Sequence, residues 1–329
     1  MLTEEQVRDA WLGAVERARL APSFLNTQPW RWHPGERSLE LYADRSRQIT
    51  SIDPDGRLLI LSCGTSLHHA RTALTGAGFD VVVDRFPQPS TDDLLARMSV
   101  TDRHEPRTVD VQMLRNLRNR HSDRRPFAAT VPVPGEAMSA LTSAVEAEHA
   151  RLYQLRESQK SILTEAAQFA AAAEAQMPEY QAELSTWTRR PQRSGDGVAR
   201  ETIAPQVARP VPVRDFAPGR ETMLDPGFGE DQFTEYVIVA TAADGPTEWL
   251  TAGEATSAAW LTATGAGLVM SVMSDVIEIP GSRAQLRGLL PEPGHPQLVL
   301  RLGLDMQPTP APPSRRRAAA DVIDESGQT

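Results

Sequence analysis

Two short stretches concentrate the residue types that do chemistry. In R-H-S-D-R-R-P-F, residues 120 to 127, Arg120, Ser122 and Arg124 alternate. Side chains of an extended chain repeat every two residues, so these three would point the same way. Two guanidinium forks and a hydroxyl on one face suit a phosphate or a sugar-phosphate. The alternative is a surface arginine cluster paired with Asp123 and nearby acids. In A-P-S-F-L-N-T-Q-P-W, residues 21 to 30, two prolines, a serine, two amides and a tryptophan follow one another closely. Either Ser23 or Asn26 caps a helix-to-strand corner packed by Trp30, or the amides read the edge of a planar ligand, since an amide both donates and accepts. A third basic cluster, Arg315-Arg316-Arg317, is a solvated charge run unless the tail folds back. Other arrangements carry less. H-S-D at 121–123 is not a triad, because a triad is assembled by geometry and not by adjacency. His68 and His69 lack a spaced partner for a metal, and the single cysteine, Cys63, in an apolar run, reads as core.

These stretches lie between regular elements. Residues 3 to 19 have helical apolar spacing, and Thr3 with Gln6 forms a capping-box pattern. W-R-W-H-P-G-E-R-S-L-E-L-Y predicts a hairpin turning at Pro34-Gly35, with Trp30 and Trp32 in the core. A long helix is expected over 57–77, ending at Gly76 or Gly78, then strands at F-D-V-V-V-D-R-F and L-L-A-R-M-S-V. Helices are expected over 108–119, 134–147 and 156–187, the last broken at Pro178. R-L-Y-Q-L is a short strand. Residues 189–230, rich in Pro, Arg and Gly, show no period, which in a domain marks a lid, a binding loop or a linker. Strand T-E-Y-V-I-V-A-T, helix 246–265, strand 267–273, helix 280–290 and strand P-Q-L-V-L-R-L-G follow.

The chain repeats itself. A shift of 189 residues lays 64–83 on 253–272 without a gap, matching Gly64, Ala70, Thr75, Gly76, Ala77, Gly78 and Val83 to Gly253, Ala259, Thr264, Gly265, Ala266, Gly267 and Val272. Two related halves in one chain are expected, residues 1–104 and 105–329, with 189–230 inserted in the second; the alternative is two unrelated amphipathic helices with similar C-caps. Composition bounds the rest. At 329 residues and 40% hydrophobic content the chain can bury a large core, and a formal net charge of −9 argues against a general nucleic-acid or anionic-membrane binder. Lys160 is the sole lysine among 34 basic residues, so an anion site must use arginine forks or backbone N–H groups. The polar, acidic opening M-L-T-E-E-Q-V-R-D-A is unlike a signal peptide and no apolar run approaches a membrane span, so a soluble cytoplasmic protein is expected.

The stretch 21–30 resembles the A-P-S-x-x-N-x-Q-P-W segment of FMN-dependent nitroreductases, residues 120–127 resemble their R-x-S-x-R/K-x-F signature, and the arginine tail resembles their C-terminal basic motif. Across L-E-L-Y-A-D-R, D-P-D-G-R-L-L-I-L-S-C-G, A-G-E-A and P-Q-L-V-L-R-L-G as well, the chain looks like the actinobacterial Acg-like branch, described as NAD(P)H nitroreductases and linked to dormancy. The resemblance implies an α+β fold, a nitroreductase-like α-β-α sandwich in a tandem, fused pseudo-dimer arrangement. Ordinary members are homodimers that build each FMN site from one signature of each subunit. Here each signature occurs once, in different halves, which implies one complete FMN site per chain, an empty twin, and one chain as the functional unit.

The resemblance also assigns roles. Arg120 and one or more of Arg316 and Arg317 would meet the FMN phosphate, and Ser122 a ribityl or phosphate oxygen. Arg124 would sit near N1 and O2. Asn26 and, more weakly, Gln28 would read the N3 edge, with Pro22, Ser23 and Phe24 along the flavin. A backbone N–H in V-M-S, at Val272, Met273 or Ser274, would reach N5. No side chain is assigned as acid or base. The expected activity is NAD(P)H-dependent reduction of a small acceptor such as a nitro compound or quinone. The alternative is an FMN-binding or sequestering protein with little turnover, whose lid is residues 189–230.

Overall fold

The computed structural model describes residues 2–88, 93–127, 131–291, 294–304, 307 and 309–324. The regular elements run in the order α1 (Glu4–Ala18), β1 (Trp30–Pro34), β2 (Leu39–Ala43), α2 (Arg57–Gly76), β3 (Phe79–Arg85), β4 (Leu94–Arg103), α3 (Thr108–Asn119), α4 (Gly135–Ala147) and β5 (Arg151–Gln154). They continue with α5 (Lys160–Ala175), α6 (Pro178–Thr188), β6 (Glu235–Thr241), α7 (Pro246–Gly265), β7 (Leu268–Met273), α8 (Asp275–Glu278), α9 (Pro280–Arg287) and β8 (His295–Leu304). The fold is α+β, and the expected helices and strands are present within a few residues of their expected bounds.

Local chemistry accounts for the helix starts. Thr3 Oγ1 accepts from the Gln6 N–H at 3.2 Å while Gln6 Oε1 accepts from the Thr3 N–H at 3.0 Å, closing the capping box of α1. At α2 the Asp53 carboxylate accepts the orphan N–H groups of Leu58 and Leu59, both at 3.0 Å. Pro178 opens α6, where its missing N–H costs nothing. α2 is buried around nearly its whole circumference, which fits a helix at the centre of the molecule.

Two four-stranded antiparallel sheets share one topology, β1-β2-β4-β3 and β5-β6-β8-β7. A register shift falls in the same place in each, at Leu41/Tyr42 and at Val239/Ala240. The sheets differ in one connection. β1 and β2 are joined by a tight turn, with the Gly35 N–H on Ser38 O at 2.8 Å, whereas residues 155–234 separate β5 from β6 and hold α5, α6 and the irregular stretch 189–230.

Between the sheets α2 crosses α7, and the 189-residue shift becomes a physical pairing. A Cβ added at Gly64 would lie 2.1 Å from Leu250 O, and one at Gly253 would lie 2.0 Å from Leu61 O. One turn on, His68 Nδ1 meets Ser257 Oγ at 2.8 Å. Each contact joins a residue to its own counterpart or to its counterpart's neighbours, as across a two-fold axis. Only glycine lets the helix backbones approach this closely. The C-terminal tail also folds back: the Trp32 N–H donates to Val322 O at 2.7 Å and the Asp324 N–H to Trp32 O at 2.8 Å, adding a parallel bridge to the free edge of β1. That return brings residues 314–317 against the corner at 21–30.

Candidate functional site

The corner after α1 is wound tightly. Leu25, Asn26 and Gln28 all have positive φ, at 44°, 54° and 51°. Left-handed backbone at three non-glycine residues is strained and persists only where the surroundings over-determine it. Those surroundings are visible. Ser23 Oγ accepts from the Gln28 N–H at 2.9 Å, and Ser62 Oγ of α2 accepts from the Phe24 N–H at 3.0 Å. Thr65 Oγ1 donates to Pro22 O at 2.5 Å.

The two amides do much of the holding. Asn26 Nδ2 donates to Gly197 O at 3.0 Å and Arg315 O at 3.1 Å, and its Oδ1 accepts from Arg316 Nη1 at 3.1 Å. Gln28 is fully buried; its Nε2 donates to Gly195 O at 2.9 Å and its Oε1 accepts from the Arg317 N–H at 2.9 Å. Together they fasten the corner to the 189–230 stretch and to the tail.

The R-H-S-D-R-R segment lies beside the edge strand β7. Ser122 makes a parallel bridge with Met270, and the Asp123 N–H donates to Met270 O at 3.2 Å. Its arginines divide into two kinds. Arg125 is buried and ion-paired with Asp123 at 2.6 Å, and Arg301, paired with Asp231 at 2.5 Å, donates to Arg125 O at 2.8 Å. These hold the segment. Arg120 and Arg124 face inward.

Two connected chambers result. One, with about 370 Å³ of empty space, is lined by Asn26, Arg120, Ser122, Arg124, Gly197, Thr202, Ser314 and Arg316 among others. The alternation expected of Arg120, Ser122 and Arg124 therefore brings all three to one cavity. The other, about 660 Å³, is lined by Phe24, Leu58, Leu61, Thr65, Trp260, Val272, Ser274, Arg214 and Phe216 among others. Pro22, Ser23, Ser122 and Arg124 line both, so the two form one cleft with a basic end and a mainly apolar, aromatic end. Its lining, a few polar groups at one end and apolar and aromatic side chains at the other, is that of a small-molecule site.

The basic end is electrostatically unfinished. Among the described residues, Arg120, Arg124 and Arg316 form no ion pair with a carboxylate. Arg120 is 8% exposed; burial, reinforced by Arg316, pushes its guanidinium down to about 9. Burial and Arg214 lower Arg124 to about 10, and burial and Arg19 lower Arg316 to about 10. The Nε atoms of Arg120 and Arg316 are buried without a partner. Arg120 donates to Leu20 O at 3.3 Å and lies 4.7 Å from the Trp260 ring, contacts that position the charge without neutralising it. Buried charge without compensation is costly, and an anion relieves it.

Not every residue singled out in the sequence lines both chambers. Asn26 lines the smaller chamber, bound to Arg316, and not the larger one. Gln28 lines neither chamber, because both ends of its amide are spent on Gly195 and Arg317. Arg317 also lines neither; its guanidinium turns to Gln28 O at 3.3 Å and to Asp321 O. Val272 and Met273 end β7; the Met273 side chain is buried in the core beside β8, and Val272 and Ser274 line the larger chamber. Reasoning from sequence missed Thr65, Trp260, Arg214 and Phe216. Trp260 could have been found, since the repeat marks its helix as the counterpart of the one that carries Thr65.

The same repeat shows what stands opposite. A shift of 189 carries the chamber residues Thr65, Trp260 and Ser274 onto Glu254, Arg71 and Arg85. Glu254 is buried and ion-paired to Arg71 at 3.1 Å and Arg85 at 2.7 Å, while Arg71 also pairs with Glu148. The related position is thus occupied by charge pairs.

No family model matches the chain. Among curated proteins it is 34% identical over 309 residues to the Mycobacterium tuberculosis protein named "Putative NAD(P)H nitroreductase Rv3131", covering 92% of this chain and 88% of that one. It is 31% identical over 323 residues to "Putative NAD(P)H nitroreductase acg" of the same organism, covering 96% and 95%. Solved structures with similarity include a nitroreductase with bound FMN from Bacteroides fragilis (TM-score 0.39, 14% identity, 63% of this chain and 95% of that one). Another is an NADPH:FMN oxidoreductase from Vibrio harveyi complexed with NAD+ (TM-score 0.39, 16% identity, 66% and 78%). The identity to the mycobacterial proteins along nearly the whole of both chains makes this a member of the NAD(P)H nitroreductase family that includes acg.

Proposed function

We propose that the chain is an FMN-binding, NAD(P)H-dependent oxidoreductase with one composite flavin site, built between two nitroreductase-like halves, residues 1–104 and 105–329. One observation carries this reading: three guanidiniums, that of Arg120 buried and those of Arg124 and Arg316 partly so, converge without an acidic partner among the described residues on one end of a cleft whose other end is apolar and aromatic. A phosphate carrying roughly −1.5 to −2 charges at pH 7 satisfies the first end and a planar ring the second.

Bound there, FMN supplies two-electron transfer between a reduced nicotinamide and a small acceptor such as a nitro compound or quinone. The protein's part is binding and orientation. Arg120, Arg316 and Ser122 hold the phosphate end; Asn26 and Gln28 act one step back, Asn26 by fixing Arg316 and Gln28 by tying the tail to the corner. Arg124, which lines both chambers, places positive charge where ring and side chain meet. Trp260, Phe24 and Leu61 exclude water from the ring, and Ser274 stands at the end of β7 where a backbone N–H can approach the ring edge. No group in the chamber is assigned to move a proton. The twin position is a second, closed half-site, because the Glu254 cluster fills it.

A second reading has its own support. Residues of the 189–230 insertion line both chambers, Gly197 and Thr202 at the basic end and Arg214 and Phe216 at the other. As a lid, that insertion would make the chain a flavin-sequestering protein with little turnover. Anaerobic mixing of the FMN-loaded chain with NADH or NADPH separates the two: bleaching of the flavin absorbance supports the reductase, and a flavin that stays oxidised supports sequestration. A purified chain that takes up no FMN overturns both.

A further inference from the structure

Arg214 is a buried residue of the insertion that lines the larger chamber. One of its nitrogens, Nη2, lies 2.8 Å from Glu174 Oε1 of α5 and 2.6 Å from Glu278 Oε2 of α8. Its guanidinium is 5.7 Å from the Phe24 ring and 5.9 Å from Phe216. Phe216 in turn stacks on Arg124 at 4.4 Å. The insertion therefore sets a second positive charge in the same chamber as Arg124 and steadies both charges with one aromatic ring. A purely structural salt bridge could close on itself away from the cavity; this one forms the chamber wall. Asp275, buried beside the pair, adds a third carboxyl to the surroundings of Arg214.

We propose that Arg214, held by Glu174 and Glu278, is a redox-tuning residue: it sets how strongly the chamber prefers a reduced, negatively charged flavin over the oxidised, neutral ring. This rests on the flavin reading above. Taking up two electrons and one proton leaves the ring with one negative charge, and a unit charge held nearby in a chamber of reduced dielectric shifts that equilibrium by about tenfold or more. The Glu278 carboxylate opposes Arg214 in sign, so removing it must act in the other direction.

The test is a spectrophotometric dithionite titration of the FMN-loaded full-length chain against a reference dye, after titration with oxidised FMN has established binding. Arg214→Gln is expected to lower the reduced-over-oxidised affinity ratio at least tenfold, about 30 mV in midpoint potential for a two-electron couple. Arg214→Lys, which keeps the charge, should stay within threefold of the wild type. Glu278→Gln should raise the ratio threefold or more, whereas Glu174→Gln, which replaces a carboxyl that holds its proton near neutral pH, should change it less. An Arg214→Gln ratio within threefold of the wild type overturns the inference, as does a shift of Glu278→Gln in the same direction as Arg214→Gln. If Arg214→Gln does not fold, Glu278→Gln decides alone, and no change in it refutes the assignment. A wild-type chain that binds no oxidised FMN instead refutes the flavin reading, so the two failures are distinct.

Discussion

Arg120 offers the sharpest test of the basic end. In the Arg120→Met variant the aliphatic stem and its packing on Trp260 are largely kept while the charge is removed. Two effects follow, of opposite sign. Without ligand the wild-type guanidinium is buried and, among the described residues, has no acidic partner and no acceptor for its Nε. Deleting it removes a desolvation cost, so the apo chain should gain stability, on the order of 1–2 °C in Tm for each kcal/mol relieved. With FMN the same guanidinium gains the phosphate. A hydrogen bond to a charged group contributes about 1.5–3 kcal/mol, and losing one partner of a buried charge pair costs about 2–5 kcal/mol. FMN affinity should therefore fall by roughly 30- to 1000-fold. Riboflavin has no phosphate and should lose less than about tenfold, reflecting only changes in packing. Calorimetric titration of both ligands into both proteins measures the difference, and Trp260 fluorescence gives an independent signal, since that ring lines the chamber. Equal losses for FMN and riboflavin would refute the assignment of Arg120 to the phosphate. An apo Tm that falls would refute the claim that its charge is uncompensated.

Other perturbations probe the parts that hold the site together. Asn26→Ala should weaken FMN about tenfold and riboflavin less, because Asn26 fixes Arg316 and does not face the ring chamber; an equal loss for both ligands would restore a ring-reading role. Gly253→Ala places a Cβ 2.0 Å from Leu61 O, and forcing the two central helices apart should cost about 3 kcal/mol or more, read by chemical denaturation; an unchanged midpoint would mean the helices are not in contact. Glu174 is raised to about 8 by burial, with Glu278 and Asp275 adding to the effect and Arg214 opposing it. The folded chain therefore holds a proton between pH 4.5 and 8 that the unfolded chain releases, so this group's contribution to stability falls as pH rises through that window, and Glu174→Gln should flatten the slope. Proteolysis within 189–230 should slow when FMN is bound; equal cleavage with and without FMN counts against a flavin-covering insertion.

Much of the local structure was legible in the sequence because its causes are local. The capping box at Thr3, the hairpin at Pro34-Gly35, the helix stops near Gly76 and Gly265, and Pro178 at the start of a helix depend on residues a few positions apart. The 189-residue repeat was equally readable, and so were the two signatures whose residues the cleft brings together. Side-chain direction was not. Arg124 and Arg125 are neighbours, yet one lines the cleft and the other is paired with Asp123, a distinction made by the edge of β7 and by Arg301. Asn26 and Gln28 have the composition of ligand-reading amides, but their partners lie about 170 and 290 residues away in the insertion and the tail. Arg316 and Arg317 look identical in sequence, and the returning tail turns only Arg316 into the cleft. Local sequence fixes backbone propensity within a few residues. Which charges remain without a counter-charge depends on long-range packing, and in this chain that packing gathers Arg120, Arg124 and Arg316 at one end of the cleft with no carboxylate ion pair among the described residues.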